Sequence, residues 1–400
     1  MKRVFTIVAM LLALAMLPTA LIGCNSGAEP TEAPTEAPTE KPTEKPTEPE
    51  EVKEGTTYEI LDILDKLKVN GRYSKTDEGL ACDNVGSGFE FQGVMKGKVY
   101  LSLRCNVSPG GRSHSTNAYF SVYIDGELQE TRHRVTTGRN AVEFEIADLG
   151  DTEGEHHIRV VKQTEARYAL AEYRTLTVDG TLGEAPAEKE LYIEFAGSSL
   201  CCGMGNLGWP DMGVNPSQTA EYEDGTQGFA FLAAETLGAD CSILGVSGMG
   251  LAKTWYPPLT FQDYYTASSY YRDDSVNHDF EASRKPDLIV LNTGKNDWQL
   301  KGNLTPPTEE EFVKAVRDTY AMLREKYGDE VPIVFAYDYY ENHKMELVEP
   351  ILEELGGEEA GYYACEVTSN RDGGDRHTDL KGHKQAAEKL VEFVENILNK

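Results

Sequence analysis

Cations, tryptophans and long apolar runs are what this 400-residue sequence is short of. Lys and Arg number 38 against 67 Asp and Glu, for a formal net charge of −29. A surface of that sign repels phosphate backbones and anionic headgroups, so no nucleic-acid partner is expected. After the apolar run at residues 4–21, no second stretch of 18 apolar residues appears, so nothing downstream is expected to span a bilayer. The seven cysteines lack the paired spacings of a metal site. Disorder throughout is excluded by what is present, because 40% of the residues are apolar and they fall into periodic stretches.

The amino-terminal 54 residues are not expected to fold. Lys2 and Arg3, the apolar run and Ile22-Gly23 read as a secretory signal over residues 1–23. Leu21-Ile22-Gly23-Cys24 resembles the bacterial lipoprotein box, and the resemblance implies acylation of Cys24. That also accounts for an odd cysteine in an exported chain. Each buried CH₂ contributes about 0.8 kcal/mol, and two acyl chains anchor where one does not. Residues 24–54 form a linker in which Pro30, Pro34, Pro38, Pro42, Pro46 and Pro49 block helix and favour an extended stalk. The expected location is therefore secreted and lipid-anchored, on the extracellular face of a bacterial membrane, with the lipid as the sole membrane contact.

Two grammars follow. Over residues 55–188, apolar and polar residues alternate at 99–103, 118–124, 142–146 and 157–161, and Asp125-Gly126 gives a tight-turn signal. This predicts an antiparallel β-sandwich of jelly-roll type. His156 and His157 read as solvated strand residues. Over residues 189–400, buried-type strands at 191–196, 241–246, 287–293, 332–337 and 362–367 alternate with helical stretches near 228–237, 308–327, 345–355 and 381–398. That pattern predicts an α/β domain with a five-stranded parallel sheet, whose ligand site lies at the carboxyl ends of its strands.

Those ends carry Gly197-Ser198-Ser199, Ser247-Gly248, Asn296-Asp297 and Asp375-Arg376-His377. A hydroxyl, flexible glycines, a carboxamide and an imidazole are the parts acyl transfer needs. The four segments, in this chain order, resemble the Ser, Gly, Asn and His blocks of the SGNH/GDSL-type hydrolases. With the preceding β-domain, and with Val161-Lys162-Gln163-Thr164-Glu165-Ala166, Ile193-Glu194-Phe195 and Gly382-His383, the chain resembles carbohydrate esterase family 2 over about residues 75–400. The resemblance implies Ser199 as nucleophile, His377 as base, and an oxyanion hole formed by the Ser199 N–H, Gly248 and Asn296. Ser198 stands where that family usually has Asp, which keeps Ser198 beside Ser199 as a nucleophile candidate. Both Asp375 and a backbone carbonyl are candidates for orienting His377. Lys295 is expected to face solvent, and His383 to be structural.

The three tryptophans, Trp209, Trp255 and Trp298, each follow a strand of the second region, and Tyr256, Phe261, Tyr264, Tyr265, Tyr270 and Tyr271 crowd the segment after Trp255. Sugar C–H faces pack well on such rings. The expectation is a serine esterase, with no cofactor and no metal, that deacetylates O-acetylated plant polysaccharides such as xylan or glucomannan through an acyl-enzyme. Two alternatives stand: an esterase on another acylated glycan or small glycoside, or a catalytically impaired carbohydrate-binding surface protein. The oligomeric state is not indicated. Replacing Cys24→Ser is expected to move the protein from the membrane fraction to the soluble fraction; retention in the membranes would refute lipid anchoring.

Overall fold

The computed structural model describes residues 54–107, 117–212, 220–255, 258–269, 277–300, 302–338 and 344–398. The signal, Cys24, the stalk, Tyr256, Tyr270 and Tyr271 lie outside them. One compact unit spans Lys53–Lys400.

Eleven strands join in one antiparallel network. They are β1 (Thr56–Glu59), β2 (Lys68–Asn70), β3 (Ser74–Lys75), β4 (Leu80–Ala81), β5 (Gly88–Val107), β6 (Asn117–Ile124), β7 (Glu127–Leu128), β8 (His133–Thr136), β9 (Val142–Asp148), β10 (Gly154–Lys162) and β11 (Ala169–Leu182). The long β5 pairs with β2, β9, β10 and β11, and so organises the network. Asp125 and Gly126, both at positive φ, close the β6–β7 hairpin that the dipeptide predicts. Inward side chains such as Phe89, Phe91, Leu101, Phe120 and Tyr173 make its core.

The second sheet is parallel and five-stranded: β12 (Tyr192–Gly197), β13 (Asp240–Gly245), β14 (Leu288–Asn292), β15 (Ile333–Asp338) and β16 (Tyr362–Val367), in the order β13-β12-β14-β15-β16. Both faces are covered. Ile193 and Phe195 pack on one side with Phe229 of α2 (Phe229–Thr236) and Leu390 of α6 (Leu380–Leu398). Ala196, Ile289 and Leu291 pack on the other with Phe312 and Val316 of α4 (Glu309–Tyr327) and Ile351 of α5 (Met345–Glu354). Burial on both faces is why these strands read as continuous apolar runs. A short α1 (Ser199–Cys202) follows β12, and α3 (Phe261–Thr266) was not expected from the sequence. Among the described residues, no helix is long and apolar enough to cross a membrane.

A buried ionic knot ties the two sheets. Arg72, on the β2–β3 connection, donates from Nε to Glu194 Oε2 (3.1 Å) and from Nη2 to Oε1 (3.0 Å). The Tyr327 hydroxyl donates to the same Oε1 at 2.9 Å, and the Tyr265 hydroxyl joins it. Burial alone would push the Glu194 carboxyl up, but the Arg72 charge and these donors hold it below the usual carboxylate range. Truncating one partner of such a pair leaves a buried unpaired charge. Arg72→Met is therefore expected to cost about 3–5 kcal/mol in chemical denaturation. The double variant Arg72→Met with Glu194→Met should recover part of it; an unchanged midpoint in the single variant would disprove the role.

Candidate active site

The order of the parallel sheet puts its switch point at β12, between β13 and β14, and ligand sites of such sheets lie at that crevice. Gly197 is level with Gly245 on one neighbour and Asn292 on the other, so the three following loops leave at one height. A Cβ at Gly197 would come within 2.3 Å of the Asn292 carbonyl oxygen, so the strand can turn this tightly only with glycine there.

Ser199 is the first residue of α1 and is 4% exposed. Ser198 is fully buried, and its Oγ has no hydrogen-bond partner among the described residues. Gly248 lies in the loop after β13 at φ +88°, and its carbonyl accepts the Trp255 N–H at 3.1 Å. Asn296 is buried in the turn after β14, where its Nδ2 donates one hydrogen to Met249 O at 3.0 Å. A carboxamide has two amide hydrogens, so the second is left for a ligand.

Asp297 is a site residue whose role the sequence did not reveal. It is fully buried and accepts three backbone N–H groups from the Gly248 loop: Leu251 on Oδ2 (2.7 Å), and Ala252 (2.7 Å) and Lys253 (2.8 Å) on Oδ1. Burial pushes its carboxyl up and the backbone donors hold it partly down, leaving it raised to about 6, so it is mostly ionised at neutral pH. The clasp fixes the loop carrying Gly248 against the turn carrying Asn296.

His377 follows a short turn at Gly374–Arg376, after β16. Its Nδ1 lies 3.2 Å from the Gly374 carbonyl oxygen. Because a carbonyl only accepts, Nδ1 carries the proton and Nε2 keeps its lone pair. The neighbour at Nδ1 is thus a main-chain oxygen, the second of the two orienting groups that the resemblance implies, while Asp375 is exposed and adopts φ +50°. The Gly374 N–H in turn donates to Gly205 O at 2.7 Å, joining the His377 turn to the segment after Ser199. Burial, and then the nearby Lys295 charge, push the imidazole down to about 4. Lys295 is half-buried rather than solvent-facing, and burial draws its ammonium down to about 8. His383 is fully buried, stacked on Phe229, and its Nδ1 accepts the Phe229 N–H at 3.1 Å at the start of α2.

The tryptophans take different places. Trp209 is 53% exposed on the segment after α1, edge-on to Tyr222. Trp255 is half-buried beside Gly248. Trp298 packs half-buried against Phe312 at 5.3 Å. Phe261, Tyr264 and Tyr265 belong to the core. His156 and His157 point to different carboxylates, Asp125 and Glu90, and share no ligand. The six cysteines among the described residues are buried, and none of them forms a disulfide with another.

No protein-family model matches the chain. In sequence it is 26% identical over 359 residues to the cellulase/esterase CelE of Acetivibrio thermocellus, a match that covers 82% of this chain. It spans about two fifths of that relative, 39% of its length. In structure it is similar to a family two carbohydrate esterase from Clostridium thermocellum in complex with cellohexaose (TM-score 0.71, 22% identity, 83% of this chain and 99% of that one). It is also similar to an acetyl xylan esterase from the rumen bacterium Butyrivibrio proteoclasticus (TM-score 0.73, 19% identity, 87% and 99%). The chain thus has the fold of the family two carbohydrate esterases, including the five-stranded parallel sheet.

The environment of His377 predicts its titration. The imidazole should stay neutral on acidification until about pH 4, instead of protonating near its ordinary 6.5. Lys295→Met removes a repelling cation and should move the midpoint upward. An NMR titration of His377 near 6.5 in the unaltered protein, or a downward move in the variant, would contradict this account.

Proposed function

We propose that the protein is a carboxylic ester hydrolase that deacetylates O-acetylated plant polysaccharides, xylan or glucomannan, at the bacterial cell surface. The observation that supports this reading is that the loops after β12, β13 and β14 leave at one height, while the His377 turn is bonded to the segment after Ser199 and holds the Nδ1 proton on a main-chain oxygen. The curated relative is an esterase and a structural neighbour holds a cello-oligosaccharide, which supports an acylated glycan as substrate.

In this mechanism the Ser199 Oγ attacks the acetyl carbonyl as His377 Nε2 takes its proton. The Ser199 and Gly248 N–H groups and the Asn296 amide stabilise the oxyanion. Collapse breaks the ester C–O bond, and the imidazolium returns its proton to the departing sugar hydroxyl. Water, deprotonated by His377, then attacks the acyl-serine and releases acetate. No metal or cofactor takes part in these steps. Trp209, exposed beyond α1, offers a face for a sugar ring, with Trp255 and Trp298 nearer the turns that follow β13 and β14. On the same reading residues 1–23 are a lipoprotein signal, 24–54 a stalk, 55–188 a jelly roll and 189–400 the hydrolase.

A second reading, glycan binding without turnover, is favoured by the buried Ser198 hydroxyl, which has no hydrogen-bond partner among the described residues, so the turn before Ser199 shows no side-chain bond there. Acetate release from acetylated xylan and glucomannan separates the two. Ser199→Ala should lose several orders of magnitude in kcat. Asn296→Ala should lose about 10²–10³. Equal rates in wild type and Ser199→Ala would overturn the nucleophile, and glycan binding with no acetate release would establish the second reading.

A further inference from the structure

Beneath the Gly248 loop lies a buried group of charged side chains that the mechanism above does not use. Glu165 sits on the loop between β10 and β11, in the antiparallel half of the molecule, and is fully buried. Its Oε2 accepts the Ser247 N–H at 2.8 Å, and its Oε1 accepts from Arg167 Nη2 at 3.2 Å. Its own N–H donates to Glu223 Oε1 at 2.6 Å. Lys162 Nζ donates to the Thr164 and Glu165 carbonyls. The Cys202 thiol, on α1, lies 3.5 Å from both the Ser247 Oγ and the Ser199 carbonyl. Glu165, Cys202 and Glu223 bring one ligand-type atom each within 4.8 Å of one another. With Lys162 and Arg167 already against this cluster and both Glu165 oxygens engaged, its chemistry is that of a scaffold rather than a cation cage.

We propose that Glu165 is a positioning residue for the oxyanion hole: by holding the Ser247 N–H it sets the orientation of the loop from which the next amide, that of Gly248, faces the substrate. The inference rests on the esterase reading above. Ser247 follows directly on Val246, whose N–H is bonded to Gly197 O at 3.1 Å, so the loop is pinned on one side by the strand that carries the nucleophile. Asp297 pins it on the other, at residues 251–253. Ser247-Gly248 lies between these anchors, and the Glu165 carboxylate is the contact that reaches it from the antiparallel half. Glu223, beside it, is pushed up by burial and by the Glu165 charge, against the pull of Arg167 and Lys162. The antiparallel half is then part of the catalytic apparatus, not an appendage to it.

The test compares acetate release with the affinity for methylboronic acid, whose tetrahedral adduct on the nucleophile puts an oxygen in the oxyanion hole. Glu165→Ala should lower kcat by about 10- to 100-fold, less than loss of a direct donor, with KM for acetylated xylan within about threefold. Boronate affinity should fall by the same factor as kcat. Glu165→Gln keeps an acceptor oxygen and should stay within about tenfold of wild type on both measures. Should the Ala variant fail to fold, Glu165→Asp, one methylene too short to reach Ser247, carries the same two readouts. Wild-type kcat in a folded Ala or Asp variant, or a fall in kcat with boronate affinity unchanged, would overturn the proposal. So would a Glu165→Gln loss as large as that of Glu165→Ala. Inactivity of the wild type would instead overturn the esterase reading.

Discussion

A carboxylate in the middle of a parallel sheet is costly unless it is paired, and Glu194 is such a group. Its partners come from three other segments: Arg72 from the antiparallel half, Tyr265 from α3 and Tyr327 from the end of α4. None of these segments can leave without exposing the others to an unpaired charge. The knot therefore couples the two sheets, which lie in one compact unit at Lys53–Lys400. Glu194 is the third residue of β12, and the strand's carboxyl end gives way to Ser198-Ser199. A six-residue strand thus holds the anchor of the whole assembly and leads directly into the candidate nucleophile, so the position of the site is set by the most constrained part of the fold.

The electrostatics of the site suit one direction of proton traffic. An imidazole pushed down to about 4 is a weak base, but it is neutral and available across the neutral range. Once protonated it is a strong acid, which in the proposed reaction suits the return of a proton to the leaving oxygen. Lys295 contributes to that bias from the turn that carries Asn296, so one turn supplies both the candidate oxyanion donor and the cation that lowers His377. The rest of the surface is strongly acidic, which repels anions and leaves a neutral polymer free to approach.

The strands and major helices were legible because burial leaves a period. The segments at 191–196 and 287–293 read as apolar runs since both their faces are covered, and the helical stretch near 308–327 is α4, which the structure opens with a capping box of Thr308 and Glu311. The four candidate site segments were legible because glycine and polar residues at strand ends are anomalous in an otherwise apolar pattern. The aromatic segment after Trp255 was not: a tyrosine that closes a core and one that lines a cleft look alike in sequence, and Tyr265 turns out to be committed to Glu194. Asp297 and Glu165 were illegible for a different reason. Each acts on backbone N–H groups of a loop distant in the chain, and backbone partners leave no trace in side-chain spacing.

The six buried thiols carry a consequence for durability. Cys201 and Cys202 are adjacent in α1 just after Ser199, Cys241 and Cys365 lie within the parallel sheet, and burial pushes all four thiols up, away from the reactive thiolate. In the folded protein they are inert. Unfolding exposes all six at once to whatever oxidant surrounds the chain, and random cross-linking then competes with refolding. Survival in air is accordingly governed by how rarely the molecule opens, while a reducing medium returns the same protein to ordinary reversible equilibrium.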